Sequence, residues 1–261
     1  MKYFDAHTHV QFDSYDADRE DVLTRMNEEG VGALIVGVDL ESSRRALALV
    51  EGRENLYAAV GLHPNHAEEG FPHEFKELAE HPQVVAIGEC GLDNFRPADA
   101  VLSAPLQRAV FEEHVRLALE VDKPLMIHSR PRKGTQDAYQ DLIQILSSYK
   151  KEFGEKLRGD IHFFVGGIEE GKALIELGFT LSYTAVLTFA RDYDEVVRYA
   201  PLTSLLSETD APYLAPASRR GQRNDPLAVK DVVEAIAGIR GEDPEHVRET
   251  ILGNAKHLFK L

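Results

Sequence analysis

Short apolar runs alternate along this chain with longer segments whose apolar residues follow helical spacing. The run at residues 33–38 is continuous, which is typical of a strand buried on both faces of a parallel sheet. Comparable runs predict seven more strands, at residues 4–10, 56–62, 84–89, 124–128, 160–164, 180–183 and 205–210. Helices are predicted at residues 16–29, 42–50, 75–80, 106–121, 136–149, 168–177, 227–239 and 244–259.

This alternation predicts the α/β class and, more narrowly, a (β/α)8 TIM barrel followed by C-terminal helices. Eight such strands are expected to close on themselves, because a closed sheet has no free edge. A barrel of this kind has about 250 residues. The 261 residues of the chain, 43% of them hydrophobic, fit one such barrel and its core. No linker or low-complexity segment is visible, so we expect residues 1–261 to form a single domain.

The charge of the chain limits how it can bind a partner. A net charge of -15 argues against broad contact with a nucleic-acid backbone, since each phosphate contact normally needs a Lys or Arg. It leaves room for a small phosphate site whose positive charge comes from metal ions.

The single cysteine, Cys90, suits a reducing cytosol, and no apolar run is long enough to cross a bilayer. We expect a cytoplasmic protein that is a monomer and has no membrane partner.

The polar residues that carry chemistry fall at or just past the carboxyl ends of the predicted strands. They are His7, His9, His63, Glu89, His128, Arg130, His162, Glu208 and Asp210. That end of a TIM barrel is where active sites are built. One such histidine alone would more often be a core residue bonded to a carbonyl group. The whole set is poorly explained in that way, because barrel interiors are mostly Val, Ile and Leu.

The number of candidate ligands predicts two metal ions. Four histidines and two carboxylates exceed the three protein ligands of a catalytic zinc ion, but they suffice for a pair of ions about 3.5–4 Å apart. Glu89 is the natural bridge between the two ions. The other ligands divide by neighbouring strands into one set of His7, His9 and Asp210 and a second set of His128 and His162.

Taken together, the motifs of the chain resemble those of the TatD family of metal-dependent hydrolases. They are Asp5-Ala6-His7-Thr8-His9, Gly61-Leu62-His63-Pro64, Gly88-Glu89-Cys90-Gly91-Leu92-Asp93, His128-Ser129-Arg130, His162-Phe163-Phe164-Val165-Gly166, Glu208-Thr209-Asp210-Ala211-Pro212 and Arg220-Gly221-Gln222-Arg223-Asn224-Asp225-Pro226. The similarity runs in order from residue 5 to Asn254.

The resemblance implies an amidohydrolase-type TIM barrel, two divalent metal ions (Mg, Mn or Zn), and hydrolysis of phosphodiester bonds in DNA. It also implies the metal ligands, which are His7, His9, Glu89, His128, His162 and Asp210. The chain departs from the family pattern at Asn65-His66. In the family a histidine usually follows the proline directly, so in this chain either His66 substitutes for that histidine or its contact is absent. It also departs at Phe163, at Val165 and at residues 131–134. These changes leave the ligands intact and alter the expected substrate contacts.

The predicted mechanism uses a metal-activated water that attacks phosphorus. Asp210 and Glu89 are the catalytic candidates, and Asp210 would orient the water and accept its proton. Glu208 shares the face of Asp210, so it either supports a ligand histidine or is simply solvated or hydrogen-bonded. The candidates for substrate contacts are His63, Arg130, Arg220 and Arg223, although an exposed basic turn explains the last two equally well.

The acidic surface favours a substrate engaged at one end. We therefore expect an exonuclease acting on a DNA strand end or single strand. The alternatives are a small phosphoester or acyl substrate, such as the ester of a D-aminoacyl-tRNA, and a non-enzymatic binding barrel. Cys90 is expected to pack against the helices and not to act as a nucleophile. The histidines of predicted helices and turns are expected to do no chemistry; they are His73, His81, His114, His246 and His257.

Overall fold

Eight parallel strands follow one another in chain order around a single sheet in the computed structural model. It describes the backbone of residues 1–95 and 100–261 and the side chains of residues 1–95 and 103–261. The strands are β1 (Tyr3–Thr8), β2 (Val31–Val36), β3 (Leu56–Val60), β4 (Val84–Asp93), β5 (Leu125–Arg130), β6 (Gly159–His162), β7 (Thr180–Tyr183) and β8 (Leu205–Ser207).

Helices connect the strands across the outside of the sheet. They are α1 (Arg19–Glu29), α2 (Leu40–Val50), α3 (Glu74–Ala79), α4 (Ala100–Val121), α5 (Asp137–Phe153), α6 (Ile168–Glu176), α7 (Asp194–Tyr199), α8 (Val229–Arg240) and α9 (Pro244–Phe259). Together with the strand order, they confirm the predicted (β/α)8 barrel with C-terminal helices. Within the described ranges, no helix combines the length and apolarity needed to cross a membrane.

The barrel closes between β1 and β8 mainly at its carboxyl end. A single parallel bridge joins Thr8 to Ala211. Beside it, the His9 N–H donates to the Ala211 carbonyl at 2.8 Å, and the Asp210 N–H donates to the His7 carbonyl at 2.9 Å. The first and last strands are therefore joined at the end of the barrel where the candidate ligands lie.

Two apolar clusters fill the structure. The larger one lies between the sheet and the helices. The smaller one gathers residues of β1 to β5, β8 and α9, including Phe4, Met126 and Phe259, all buried. Because strands on opposite sides of the barrel share it, this cluster lies inside the barrel. The Phe4 and Phe259 rings lie 5.9 Å apart, so α9 packs directly against that interior.

Local signals explain where several helices begin and end. Gly30, with φ of 72°, ends α1 as predicted, because this left-handed conformation suits glycine. Helix α9 has its predicted bounds, with Asp243 as N-cap and Pro244 in the first turn. Helix α2 begins at Leu40, two residues before its predicted start. Its N-cap is Asp39, which accepts from the Ser42 N–H in a capping box.

Several strand bounds differ from the sequence prediction, and one helix was not predicted. β4 continues to Asp93, four residues beyond its predicted end, so Glu89 lies inside the strand and not at its end. β6 stops at His162 because Phe163 has φ of 44°, which no strand can contain. The unpredicted helix is α7, a short and polar segment with little helical pattern.

Gly91 is predicted to be required for the close approach of β4 and β5. Its φ is 137°, and a Cβ atom there would lie 2.0 Å from the His128 carbonyl oxygen. We expect Gly91→Ala to lower the free energy of unfolding by about 3 kcal/mol. Gly253→Ala is the control, because this exposed position on α9 has no atom near an added Cβ and Ala favours a helix. Urea unfolding followed by circular dichroism measures both variants, and equal stabilities would contradict the prediction.

Candidate metal centre

The Glu89 carboxylate lies at the centre of a ring of imidazoles. Its side chain is buried, with 4% of the residue exposed. Five imidazole nitrogens lie within 4 Å of its two oxygens. They are His128 Nδ1 (2.9 Å), His162 Nε2 (3.3 Å) and His63 Nε2 (3.4 Å) from Oε1, and His7 Nε2 (3.5 Å) and His9 Nε2 (3.9 Å) from Oε2.

Asp210 faces the same cluster from the end of β8. Its Oδ1 lies 3.4 Å from His9 Nε2 and 3.9 Å from His7 Nε2. Burial alone would raise the pKa of Asp210, but the neighbouring histidines, with His9 first, bring it below its usual value. The carboxylate is therefore ionised at neutral pH and is available as a ligand or a proton acceptor.

Asp5 fixes the first strand against the segment that carries Asp210. Its carboxylate accepts hydrogen bonds from the Thr209 N–H at 2.8 Å and the Thr209 hydroxyl at 2.5 Å. It also accepts from the His7 N–H at 3.3 Å. Burial raises the pKa of Asp5 well above its usual value, with these hydrogen bonds acting against the increase. Asp5 thus positions His7 and the residue before Asp210 together.

The donor geometry fits metal ions. His7 Nε2 and His9 Nε2 face each other at 3.1 Å, so both nitrogens point to one region of space. Four of the five contacts of Glu89 with imidazole exceed the usual length of a hydrogen bond. The buried His7 Nδ1 has no hydrogen-bond partner among the described residues. Convergent imidazole nitrogens around carboxylates form a donor set that suits divalent transition metals.

The electrostatics of the cluster keep its central carboxylate charged. Burial alone would raise the pKa of Glu89, but the surrounding imidazoles, His63 and His162 foremost, bring it well below its usual value. Burial lowers the pKa of His63 to about 3. Burial also acts to lower the pKa of His162, yet Glu208 and Glu89 raise it well above its usual value. Glu89 is thus ionised, as a carboxylate must be in order to bind a cation.

Glu208 lies directly behind His162. Its Oε1 accepts from the Phe163 N–H at 2.7 Å and lies 3.3 Å from His162 Nδ1. Its Oε2 accepts from the Ser182 hydroxyl at 2.9 Å, and Ser182 also lies 2.5 Å from Asp160. These contacts are those of a residue that orients the imidazole of His162. They favour this role over that of a solvated side chain, because Glu208 is fully buried.

His63 and Asp93 extend the cluster beyond the predicted ligands. His63 was predicted as a substrate contact, and the structure places it against Glu89 among the other imidazoles. The Asp93 carboxylate lies 3.3 Å from His128 Nε2 at the end of β4. Asp93 was missed as a candidate because the predicted strand ended too early. Its position four residues after Glu89 in the same motif was the available signal.

Arg130 is the predicted arginine that reaches the cavity above the cluster. This cavity has a volume of about 700 Å³, and its lining includes His63, Glu89, His128 and Arg130. The guanidinium carbon of Arg130 lies 4.1 Å from the centre of the Phe95 ring. This stacking restrains the side chain at the edge of the cavity.

The other two predicted arginines lie outside the cavity lining, as far as the described residues show. Arg223 donates two hydrogen bonds to Asp18, at 2.8 and 2.6 Å, and stacks on Tyr15. Arg220 stacks on Phe189, with its guanidinium carbon 4.4 Å from the ring centre. The structure brings neither of them to the metal centre, and both hold their loop to the barrel. Residues 131–134 form a turn in which Arg132 bonds to Asp137.

The surroundings of Cys90 and His114 indicate structural roles for both residues. The Cys90 thiol is buried in the larger apolar cluster and lies 3.5 Å from the Met126 carbonyl oxygen. Burial raises its pKa well above the usual value, which makes a thiolate nucleophile unfavourable. His114 accepts from the Leu62 N–H at 2.9 Å and so supports the residue before His63.

The sequence model described as TatD related DNase matches residues 4–260 of the chain. This chain belongs to the TatD-related DNase family. A relative named uncharacterized metal-dependent hydrolase YabD, from Bacillus subtilis (strain 168), is 37% identical over 267 residues that cover 99% of each chain. A relative named 3'-5' ssDNA/RNA exonuclease TatD, from Erwinia billingiae (strain Eb661), is 32% identical over 271 residues that cover 99% of each chain.

A solved structure shares the fold of this TatD-family chain over its whole length. The crystal structure of YJJV, a TatD homologue from Escherichia coli K12, has a TM-score of 0.87 and 28% sequence identity, covering 100% of this chain and 98% of that chain. Family membership makes the protein a metal-dependent hydrolase, and therefore an enzyme and not a binding barrel. Within the described part of the chain, four overlapping groups of residues have ligand atoms close enough to hold a metal: His7, His9 and Glu89; His7, His162 and Glu208; His63, Asp93 and His128; and Glu89, His128 and His162.

We predict that Glu89 is essential for metal binding by this TatD-family enzyme. Gln keeps the size of the side chain but removes the charge that offsets the cations. Glu89→Gln should therefore lower the affinity for Mn²⁺ at least about hundredfold, as measured by isothermal titration calorimetry. Glu176→Gln, at an exposed position on α6, is the matched control and should bind as the wild type does. An unchanged affinity in Glu89→Gln would exclude Glu89 as a ligand.

Proposed function

We propose that this enzyme is an exonuclease that removes nucleotides from the end of single-stranded DNA, using two divalent ions held by the six predicted ligands. The observation that carries the proposal is the ring of imidazoles around Glu89 at the base of an open cavity. One carboxylate contacting five imidazole nitrogens is the arrangement expected of a bridge between two cations.

The size and charge of the enzyme favour a strand end over a duplex. A cavity of about 700 Å³ is in the range that encloses one small ligand, which here corresponds to one nucleotide. The net charge of -15 offers little support for a long stretch of backbone phosphates. The relative from Erwinia billingiae carries the name of an exonuclease on single-stranded DNA and RNA, which supports the same substrate class. The single buried Cys90 fits a cytoplasmic enzyme.

The residues of the chain would act on the substrate in a defined order. Arg130, at the edge of the cavity, would donate hydrogen bonds to the phosphate and help to orient it. Ions bound by the ligands would polarise the phosphate oxygens and lower the pKa of a nearby water. Asp210, which is ionised, would accept the proton of the attacking water, and the P–O bond to the neighbouring sugar would break as the sugar oxygen leaves and takes up a proton from solvent. Glu208 would hold the His162 imidazole in place throughout.

A substrate panel tests the proposed reaction. Labelled single-stranded DNA, duplex DNA, RNA and D-aminoacyl-tRNA are each incubated with the enzyme and added Mg²⁺, Mn²⁺ or Zn²⁺. We expect fastest release of mononucleotides from single-stranded DNA, and loss of that release after treatment with a chelator. Release of a D-amino acid without cleavage of DNA would replace the proposal by ester hydrolysis. Internal cuts without mononucleotide release would replace it by endonuclease action.

Asp210→Asn tests the proton acceptor. The amide keeps the shape of the side chain but cannot take a proton, so kcat should fall about a thousandfold while the circular dichroism spectrum and the unfolding midpoint stay unchanged. Asp21→Asn, at an exposed position on α1, is the matched control and should keep full turnover. Wild-type turnover in Asp210→Asn would reject this role.

A further inference from the structure

We propose that an apolar wall of the cavity, formed by Phe163, Val165, Tyr193 and Leu214, binds the nucleobase of the terminal nucleotide. All four residues line the same cavity as Glu89 and Asp210. The inference rests on the proposed exonuclease function and adds to it a specificity-determining surface, on which Phe163 is the principal residue.

The segment after β6 presents alternate side chains to the cavity. Phe163 and Val165 are half-buried and line the cavity, whereas Phe164 between them is 1% exposed. The Phe164 ring packs in the core, 5.1 Å from the Tyr139 ring and 6.3 Å from the Tyr183 ring. The core therefore anchors this segment through Phe164, and its two neighbours are left facing the cavity.

Three successive backbone N–H groups hold the segment in place. The Phe163 N–H donates to Glu208 at 2.7 Å, the Phe164 N–H to the Ser182 carbonyl at 3.0 Å, and the Val165 N–H to the Tyr139 hydroxyl at 2.9 Å. Phe163 also has φ of 44°, a conformation uncommon for an aromatic residue and typical of functional sites. The ring is thus presented by a restrained backbone, so little freedom is lost when a ligand packs on it.

The wall lies beside the place where a phosphate would bind. The Phe163 ring centre is 6.4 Å from that of His162, one of the predicted ligands. Among the described residues of the cavity lining, Arg130 is the one Lys or Arg. The cavity therefore joins a cation-binding floor to an aromatic and aliphatic side. A nucleotide has the same two parts, a phosphate and a flat base whose faces stack on aromatic rings.

Two DNA single strands that differ only in the terminal base test whether the apolar wall binds a base. One labelled single strand ends in deoxyadenosine, and the other ends in a tetrahydrofuran residue that has the sugar and phosphate but no base. We expect wild-type kcat/KM for the first cleavage to be about tenfold higher on the base-bearing strand. Phe163→Ala should reduce this preference to less than about twofold, through slower cleavage of the base-bearing strand, with the rate on the tetrahydrofuran strand unchanged.

Further variants distinguish the loss of base binding at the apolar wall from general damage to the protein. Val165→Thr keeps the shape of the side chain and replaces one methyl group by a hydroxyl, so it should weaken the preference for the base-bearing strand. Because Val165 is half-buried and its new hydroxyl can reach water, the unfolding midpoint should stay close to that of the wild type. Tyr199→Ala removes an aromatic ring that is 47% exposed and absent from the described cavity lining, and it should keep the full preference. A wild-type ratio of kcat/KM near one between the two DNA strands would overturn the inference. An equal loss of kcat/KM on both DNA strands in Phe163→Ala would also overturn it.

Equilibrium binding gives a readout that needs no turnover. Calorimetry compares 2'-deoxyadenosine 5'-monophosphate with 2-deoxyribose 5-phosphate as ligands of the Ca²⁺-loaded enzyme. The base-bearing ligand should bind about tenfold more tightly to the wild type and about equally to Phe163→Ala. Equal affinities of the wild type for the two ligands would refute base binding by the apolar wall. If neither strand is cleaved with any metal, the proposed exonuclease function fails, and this binding comparison still decides whether the wall accepts a base.

Discussion

Closure of the barrel between β1 and β8 brings the two ends of the metal centre together. Thr8 and Ala211, which form the bridge at this seam, are 203 residues apart in the chain. The hydrogen bond from the Asp210 N–H to the His7 carbonyl sets the carboxylate beside the paired imidazoles. Because such a site cannot exist in the unfolded chain, ions that bind it stabilise the closed barrel, and damage to the seam weakens the site.

A buried cluster of ionisable groups is stable only when each charge has a partner. Glu89 has imidazoles on both oxygens, and His162 has Glu89 on one side and Glu208 on the other. The Ser182 hydroxyl then donates a hydrogen bond to Glu208 from behind. The His162 imidazole is therefore held by a chain of polar residues, which fixes the direction in which it faces the cavity.

Much of this arrangement could be predicted from the sequence, because strand periodicity and barrel geometry are regular. All eight strands and the convergence of Glu89 with its histidines follow from them. The extension of β4 to Asp93 could not be predicted, since glycines interrupt its apolar run. Nor could the positions of Arg220 and Arg223, because the partners of a loop arginine depend on which segments pack against it.

Conformational strain is concentrated around the cavity. Three non-glycine residues of the cavity lining, Phe163, Asp210 and Leu214, have positive φ, at 44°, 50° and 55°. Phe163 directly follows the last residue of β6, and Asp210 lies three residues beyond the last residue of β8. Hydrogen bonds to Glu208 and to the His7 carbonyl offset this strain. The same contacts that close the barrel and support His162 therefore also orient the Asp210 carboxylate and the Phe163 ring, so the geometry of the cavity depends on the closure of the barrel.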